Sequence, residues 1–327
     1  MSKSDLTPIG APDRPSASQE LALAELDSQT REYIRNALSS STHRLYKSDF
    51  RQFSEWCASH NLQALPALPE TVARFLSFEA GRGIKPSTLI RRVAAIRMFH
   101  EANGNPSPTQ HRGVKATIKG IRREKGSAQR KKAPATAERV AAMVAFCDLN
   151  TLTGLRDRAL LLLGFSGAFR RSELVALQVN DIERTPEGIK VTIRRSKTDQ
   201  EGQGQMVAIL NGTNFRAVDA LMAWLDAAVI TDGHIFRPVN KWNQVRPAGL
   251  TGESVALTVK RYASKAGLTV DDFSGHSLRA GFITSGAAAG ADLFKLMEVS
   301  RHRKPETVMG YVRESRLFEN HAGEKFL

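Results

Sequence analysis

Six side chains in this sequence have the chemical types that phosphodiester cleavage requires. They are Arg170, Lys197, His276, Arg279, His302 and Tyr311. Arginine and lysine can hold phosphate oxygens or supply a proton, and a tyrosine hydroxyl can act as a nucleophile. The spacing of the set does not match that of metal ligands. The set therefore indicates a tyrosine that attacks a phosphodiester whose charge is held by cations.

The chain is strongly basic, and the charge is concentrated in its first part. Its 327 residues include 47 Lys and Arg against 33 Asp and Glu, for a net charge of +14. Residues 1–135 hold 22 of the basic and 12 of the acidic residues. This balance indicates a polyanionic partner, nucleic acid first, and a first part that grips a phosphate backbone. A merely basic soluble protein is the alternative.

Cysteine usage and hydropathy indicate a cytoplasmic, nucleoid-associated protein. Cys57 and Cys147 lack the spacing of a disulfide framework, so we expect reduced thiols, with Cys57 in a helical core. We see no apolar run long enough to cross a bilayer. The polar start, rich in Ser and Pro, resembles neither a signal peptide nor a transit helix.

Periodicity divides the chain into several parts. We predict a disordered arm at 1–25, a helical domain at 26–124, a basic linker at 125–135, a catalytic domain at 136–315 and a tail at 316–327. In the first domain Thr42 is the expected N-cap of the first helix. Pro69 and Pro86 begin the next two, and residues 103–106 end the third.

The second domain combines helices with a small sheet. Helices are expected at 136–148, 155–168, 171–178, 214–229, 251–266, 276–289, 291–299 and 305–313. Between them, alternating apolar residues at 189–193 and 207–209 predict two antiparallel strands, with Lys197 in or beside their turn. The expected fold class is mainly α with a small antiparallel β element, that is, a helical domain followed by an α+β catalytic domain.

Four short motifs follow one another in the second domain. They are Arg-x-Ser-Glu-Leu from Arg170, a hairpin Lys197, His-Ser-Leu-Arg from His276, and His302 followed nine residues later by Tyr311. Each alone is weak, because most His-x-x-Arg pairs lie on surfaces and most tyrosines in cores. In this order and in one basic domain, they resemble the tyrosine recombinase (phage integrase) family in its Cre-like form. The resemblance covers residues 42–315 and implies that the helical domain at 26–124 is a core-binding (DNA-binding) domain and that 136–315 is a tyrosine recombinase catalytic domain.

The resemblance implies a set of phosphate-holding residues. Arg170 and Arg279 would clamp the scissile phosphate, and Glu173 would orient the cations. Arg171 directly follows Arg170 and is the alternative clamp, although the spacing to Glu173 favours Arg170. His302 would form a hydrogen bond with the phosphate.

The resemblance also implies the proton carriers and the nucleophile. Lys197 would protonate the leaving 5′ oxygen, and His276 would help to manage the proton of the nucleophile. Tyr311 would form a 3′-phosphotyrosine and leave a free 5′-hydroxyl. Arg301 departs from the family pattern, because it replaces the common glycine before the histidine. With Arg303 and Lys304, it is expected to add phosphate contacts or to change the local backbone.

The implied activity is site-specific recombination of a mobile element or chromosome. It would use no cofactor, metal or ATP, and would proceed as a homotetramer on double-stranded DNA with inverted half-sites. Apolar residues in the tail are expected to dock on a neighbouring protomer or, alternatively, on their own domain. These are Leu317, Phe318, Phe326 and Leu327. Accessory proteins and the target sequence cannot be inferred.

Basic residues outside these motifs are candidates for DNA contact, although such side chains are more often solvated. The candidates are Arg91, Arg92, Arg97, Arg122, Arg123, Lys131, Lys132, Lys241 and Arg261, with Arg246 and Lys260 beside them.

Four other functions remain as alternatives. A type IB topoisomerase or a telomere resolvase would share the tyrosine chemistry, and a DNA-binding regulator would lack it. A metal-dependent nuclease is disfavoured, since no acidic cluster has suitable spacing.

Overall fold

The chain folds as two units, Met1–Gln129 and Arg130–Leu327. The computed structural model describes residues 24–30, 32–33, 37–126, 132–194, 204–315 and 323–324. Most of the expected arm, half of the expected linker, Lys131, Lys197 and the four apolar residues of the tail lie outside these ranges. The division between the units falls inside the segment expected to be the linker.

The first unit is built from helices. They are α1 (Ser40–Ser59), α2 (Pro69–Gly81), α3 (Pro86–Ala102) and α4 (Arg112–Lys125), and residues 24–30 and 32–33 before them are also helical. Pro69 and Pro86 occupy first-turn positions, as predicted. The predicted N-cap of α1 was wrong by three residues. The hydroxyl of Ser39, not Thr42, caps α1 by accepting from the backbone N–H of Thr42 at 3.2 Å.

Aromatic packing holds the first unit together. The rings of Phe53 and Phe75 meet edge to face at 5.1 Å, and Trp56 lies 5.4 Å from Phe75. Cys57 is fully buried beside them, as predicted, and burial raises the pKa of its thiol to about 11.

The second unit contains eight α-helices and a sheet in its described residues. The helices are α5 (Ala137–Ala145), α6 (Leu152–Ser166), α7 (Arg171–Ala176), α8 (Ala217–Ala227), α9 (Gly252–Lys265), α10 (Ser277–Ala288), α11 (Leu293–Ser300) and α12 (Pro305–Ser315). Each corresponds to a predicted helix, with ends that differ by a few residues. The fold class predicted from the sequence is confirmed.

Three antiparallel strands form the sheet, in the order β1 (Ile182–Thr185), β2 (Gly188–Ile193) and β3 (Gln205–Leu210). The register pairs Val191 with Val207, so the alternating residues that predicted β2 and β3 share one buried face. The sequence did not predict β1, whose central Glu-Arg pair is exposed.

Helix α6 forms the centre of the second unit. Its residues Leu160–Leu163 are completely buried, because one side packs against the sheet and the other against α5 and α9. Helix α10 packs against the segment that enters the unit. The N–H of Ala135 donates to the carbonyl of Ser277 at 2.8 Å, and a Cβ on Gly281 would lie 1.7 Å from the oxygen of Ala135. Only glycine permits this approach.

None of the helices in the described ranges is both long and apolar enough to traverse a bilayer.

Candidate active site

A tight turn after α6 presents Arg170. Ala168 has a φ of 44°, and the turn leads directly into α7, where Arg170 is the N-cap residue. One guanidinium nitrogen of Arg170 donates to Oε1 of Glu173 at 2.5 Å, and its backbone N–H donates to Oε2 at 3.0 Å. Arg171 is exposed and lies beside Gly252 and Gly275, away from these contacts. The geometry therefore favours Arg170 over Arg171 for the cationic cluster.

Glu173 is a buried carboxylate, 2% exposed. Burial alone would raise its pKa. The charge of Arg301 and the hydrogen bonds from Arg170 outweigh that effect and hold the pKa of Glu173 below its ordinary value. Glu173 is thus ionised at neutral pH and can order the cations around it.

Arg279 reaches the same turn from α10. Its side chain donates to the carbonyl of Ala168 at 2.8 Å and lies 3.2 Å from Nδ1 and 3.3 Å from Nε2 of His302. Burial, followed by the charges of Arg170 and Arg301, lowers the pKa of Arg279 to about 9. The cluster thus carries uncompensated positive charge. A bound phosphate would reduce the repulsion between its arginines.

His302 follows α11 and faces the arginines. Burial and the charges of Arg279, Arg170 and Arg301 lower its pKa to about 4, so the ring is neutral at physiological pH. The hydroxyl of Ser300 lies 2.8 Å from Nδ1 of the ring.

Arg301 does not have the position expected from the sequence. We expected either a phosphate contact or a change in the local backbone; its side chain is 3% exposed and turns into the protein, which does not fit the phosphate contact. Its backbone is left-handed, with φ 55° and ψ 44°, which costs a residue with a side chain about 1–2 kcal/mol. Arg303 and Lys304 are exposed.

Tyr311 lies on α12, near the arginines. Its ring is half-buried and packs against a small cluster that includes Ile283, Leu296 and Val308. Tyr311 also contributes to the electrostatic environment of Arg279, and its helix packs against α10, which carries Arg279.

His276 is the N-cap residue of α10, one turn before Arg279. Its ring is exposed, and its backbone N–H donates to Oγ of Ser274 at 3.3 Å. His276 and Arg279 thus lie at the N-terminal end of the same helix.

Lys197 lies outside the described residues, in the connection between β2 and β3. The start of that connection nevertheless lies close to the arginine cluster. Ile193 and Arg194, at the end of β2, line the same cavity of about 240 Å³ as Glu173. Arg194, which directly follows β2 and precedes Lys197 by three residues, therefore lies near Glu173.

The structure removes Arg92 from the candidates for DNA contact. Arg92 is only 5% exposed and forms an ion pair with Glu79 inside the first unit. It also donates to Gln52 at 2.5 Å and lies 3.7 Å from Asp49. The sequence did not predict this, because the partners come from other helices.

The other described candidates are at least partly exposed. Several have acidic partners: Arg91 pairs with Asp49, Arg97 with Glu101 and Arg261 with Asp157. Lys132 bonds to a carbonyl oxygen of residue 271, and Lys241 lies 4.6 Å from the exposed Trp242 ring. Arg122 and Arg123 are exposed in the last turn of α4.

Comparison with known proteins decides the family. Residues 135–316 match the phage integrase family, and residues 31–103 match the phage integrase N-terminal SAM-like domain. The chain belongs to the phage integrase family. Its enzyme class is that of the tyrosine recombinases, as the motifs predicted.

Named relatives of this integrase family member span most of its length. It is 40% identical over 294 residues to an integrase/recombinase XerD homolog of Selenomonas ruminantium, covering 88% of this chain and 86% of the relative. It is 25% identical over 299 residues to the recombinase Cre of Escherichia phage P1, covering 85% of each.

Solved structures of integrases share the fold. A lambda integrase dimer bound to a COC′ core site matches with a TM-score of 0.56 and 15% identity over 88% of this chain and 93% of that chain. A post-cleavage complex of the XerH site-specific recombinase matches with a TM-score of 0.56 and 17% identity, over 76% and 70%.

Proposed function

We propose that this protein is a site-specific DNA recombinase that cleaves and rejoins strands through a 3′-phosphotyrosine. The observation that carries the proposal is the grouping of Arg170, Arg279 and His302 around one turn, with Tyr311 in electrostatic reach. The relatives named as recombinases support the same class of reaction. The net charge of +14 supports double-stranded DNA as the substrate.

The proposed step exchanges one phosphate ester for another. Oη of Tyr311 forms a bond to phosphorus as the bond from phosphorus to the 5′ oxygen breaks. The phenolic proton passes toward His276, and Lys197 gives a proton to the 5′ oxygen. The products are a 3′-phosphotyrosine and a 5′-hydroxyl, so the ester is conserved and rejoining requires neither ATP nor a metal ion.

Arg170 and Arg279 would bind the non-bridging phosphate oxygens. Guanidinium groups suit this role because their planar fork holds two oxygens at once. Their charges are in place before the substrate arrives, and preorganised charge of this kind is often the largest contribution to catalysis.

A nicked duplex tests the reaction. The probe is selected for binding from a library of randomised inverted half-sites, and the nick is then moved one nucleotide at a time across the spacer. In EDTA, wild type should form a covalent adduct on a denaturing gel. Tyr311→Phe should not, whereas Tyr33→Phe, which changes an exposed tyrosine elsewhere, should behave as wild type.

Each result of that assay has a meaning. An adduct that persists in Tyr311→Phe would identify another nucleophile. Binding without any adduct would indicate a DNA-binding regulator instead. Hairpin ends would indicate a telomere resolvase, and relaxation of supercoils without a partner site would indicate a topoisomerase.

We also propose a tetramer on two sites, with the apolar tail docked on a neighbouring protomer. Deletion of residues 316–327 should reduce synaptic tetramers much more than binding to a single site. Native gels and light scattering of the DNA complexes measure both. Tetramers at the wild-type level would contradict the role of the tail.

A further inference from the structure

Arg301 is unusual because its charged side chain is buried on a backbone conformation that favours glycine. It directly follows α11, with φ 55° and ψ 44°. Glycine would end the helix there without strain. A strained backbone that is retained in this cluster suggests that the side chain has a role.

The guanidinium group of Arg301 holds the turn that precedes Arg170. One nitrogen donates to the carbonyls of Gly167 at 3.0 Å and Val299 at 2.6 Å. The other donates to the carbonyl of Ala168 at 3.0 Å. One side chain therefore ties the end of α11 to the turn that presents Arg170.

Arg301 also shares the carboxylate of Glu173 with Arg170. Its second nitrogen lies 2.8 Å from Oε2, while Oε1 accepts from Arg170. A carboxylate with a single guanidinium partner cancels most of the charge of that partner. Here the described cluster holds the guanidinium groups of Arg170, Arg279 and Arg301 against the one carboxylate, so positive charge remains.

All four hydrogens on the two terminal nitrogens of Arg301 have protein acceptors. These are the carbonyls of residues 167, 168 and 299 and the carboxylate of Glu173. The remaining donor, Nε, is buried and has no partner among the described residues, so the side chain stays behind the phosphate site and any effect on the reaction passes through its neighbours.

We propose that Arg301 is a positioning residue that shares Glu173 with Arg170, so that the carboxylate orients Arg170 without cancelling the charge it presents to the scissile phosphate. The inference rests on the proposed function, because it concerns the same phosphate. Its physical basis is that the transition state of phosphoryl transfer carries spread negative charge, and fixed positive charge in a dry site stabilises it strongly.

The test compares two scissile groups in the selected duplex: the natural phosphodiester and a methylphosphonate, which lacks one negative charge. Arg301→Gln should slow single-turnover cleavage of the phosphodiester by about ten- to a hundredfold at saturating protein, with unchanged Kd. The fold loss in cleavage rate that Arg301→Gln causes on the methylphosphonate should be much smaller. Arg301→Lys keeps the charge and should retain part of the rate. Arg216→Gln, which removes an exposed charge elsewhere, is the control.

The ratio of the cleavage rate on the phosphodiester to that on the methylphosphonate separates an electrostatic role of Arg301 from a packing role. An equal loss on both substrates would overturn the inference, and so would a wild-type rate in Arg301→Gln. If Arg301→Gln fails to fold, Arg301→Gly, which suits the left-handed backbone, replaces it, and the same two outcomes would overturn the inference. Absence of an adduct from wild type itself would instead overturn the proposed function.

Discussion

The hydroxyl of Ser300 lies 2.8 Å from Nδ1 of His302 and also donates to the carbonyl of Leu296. A hydroxyl has one proton, so Oγ of Ser300 accepts from Nδ1–H of the histidine. We therefore assign the neutral ring with its proton on Nδ1, which leaves Nε2, 3.3 Å from a guanidinium nitrogen of Arg279, as its acceptor. Ser300 thus orients the ring that the sequence motif identified, although no motif included the serine itself.

Removing this hydroxyl should impair cleavage more than binding. Ser300→Ala leaves Nδ1 of His302 without its acceptor, so we expect the single-turnover rate to fall by about three- to tenfold, the scale of one neutral hydrogen bond. The Kd for the selected duplex should not change. Ser264→Ala, an exposed position on α9, is the matched control. A wild-type rate would show that packing alone orients the ring.

The low pKa of His302 predicts a pH dependence of stability. The pKa is about 4 in the folded protein, below the ordinary value of 6.5. The folded state therefore binds fewer protons than the unfolded state between these values. The resulting stabilisation, at most about 3 kcal/mol, is complete above pH 6.5 and is lost as the pH falls through 4.

Thermal unfolding of wild type and His302→Gln from pH 7.5 to 4.5 measures this contribution. The Tm of wild type should fall more steeply, with a difference of several degrees at the acid end. Titration of labelled histidine by NMR reports the pKa directly. Parallel curves for the two proteins would contradict the assignment.

Lys197, which we propose as the general acid, can be tested with an altered leaving group. A 5′-thiol leaves without help from an acid, because its pKa is far below that of an alcohol. Lys197→Ala should therefore cleave the phosphodiester at least about a hundredfold more slowly than wild type, yet cleave a 5′-bridging phosphorothiolate at a similar rate. Lys190→Ala on the exposed face of β2 serves as the control. A variant that is equally slow on both duplexes would assign Lys197 to another role.

The exposed last turn of α4 should contact the DNA backbone. The double change Arg122→Ala and Arg123→Ala removes two cations without disturbing buried partners. We expect weaker binding to all sequences and a salt dependence of log Kd flatter by roughly one unit per lost contact. Binding measured from low to moderate salt gives this slope. The same slope as wild type would show that these side chains remain in solvent.

Arg92 and Arg97 on α3 should differ in their effect on stability. Arg92→Met leaves the buried carboxylates of Asp49 and Glu79 without a central partner, at a cost of about 3–5 kcal/mol. Arg97→Ala breaks only an exposed pair with Glu101 and should cost about 0.5 kcal/mol or less. Hydrogen exchange of peptides from residues 40–125 in increasing urea reports this unit separately. Similar losses in both variants would contradict the assigned burial.

The helices were predictable because their apolar residues recur at helical spacing and because proline and glycine mark their ends. Strand β1 was not predictable from the local pattern. It has a single apolar residue, Ile182, among polar neighbours and is held mainly by pairing with β2. Strand pairing is a long-range property, so local pattern alone does not reveal it.

The types of the candidate site residues and their order along the chain were predictable from the sequence. Nothing in the sequence indicated that Arg301 would turn inward or that Arg92 would be buried. The direction of a charged side chain depends on partners that are distant in the chain: Glu173 precedes Arg301 by 128 residues, and Asp49 precedes Arg92 by more than forty. Local spacing also missed Ser300, whose role depends on the ring that follows the end of α11.

The bond between Ala135 and Ser277 has a mechanical consequence. The polypeptide enters the second unit at the start of α10, the helix that carries Arg279. The backbone of Ala135 packs directly against that of Gly281, so the entering segment and α10 are in close contact. Ala133 and Ala135 donate to the carbonyls of Asp272 and Ser277, so a displacement of residues 132–135 acts directly on the segment that leads into α10. We therefore expect tension on this entry segment to shift Arg279 as well, which would make the chemistry sensitive to force as well as to charge.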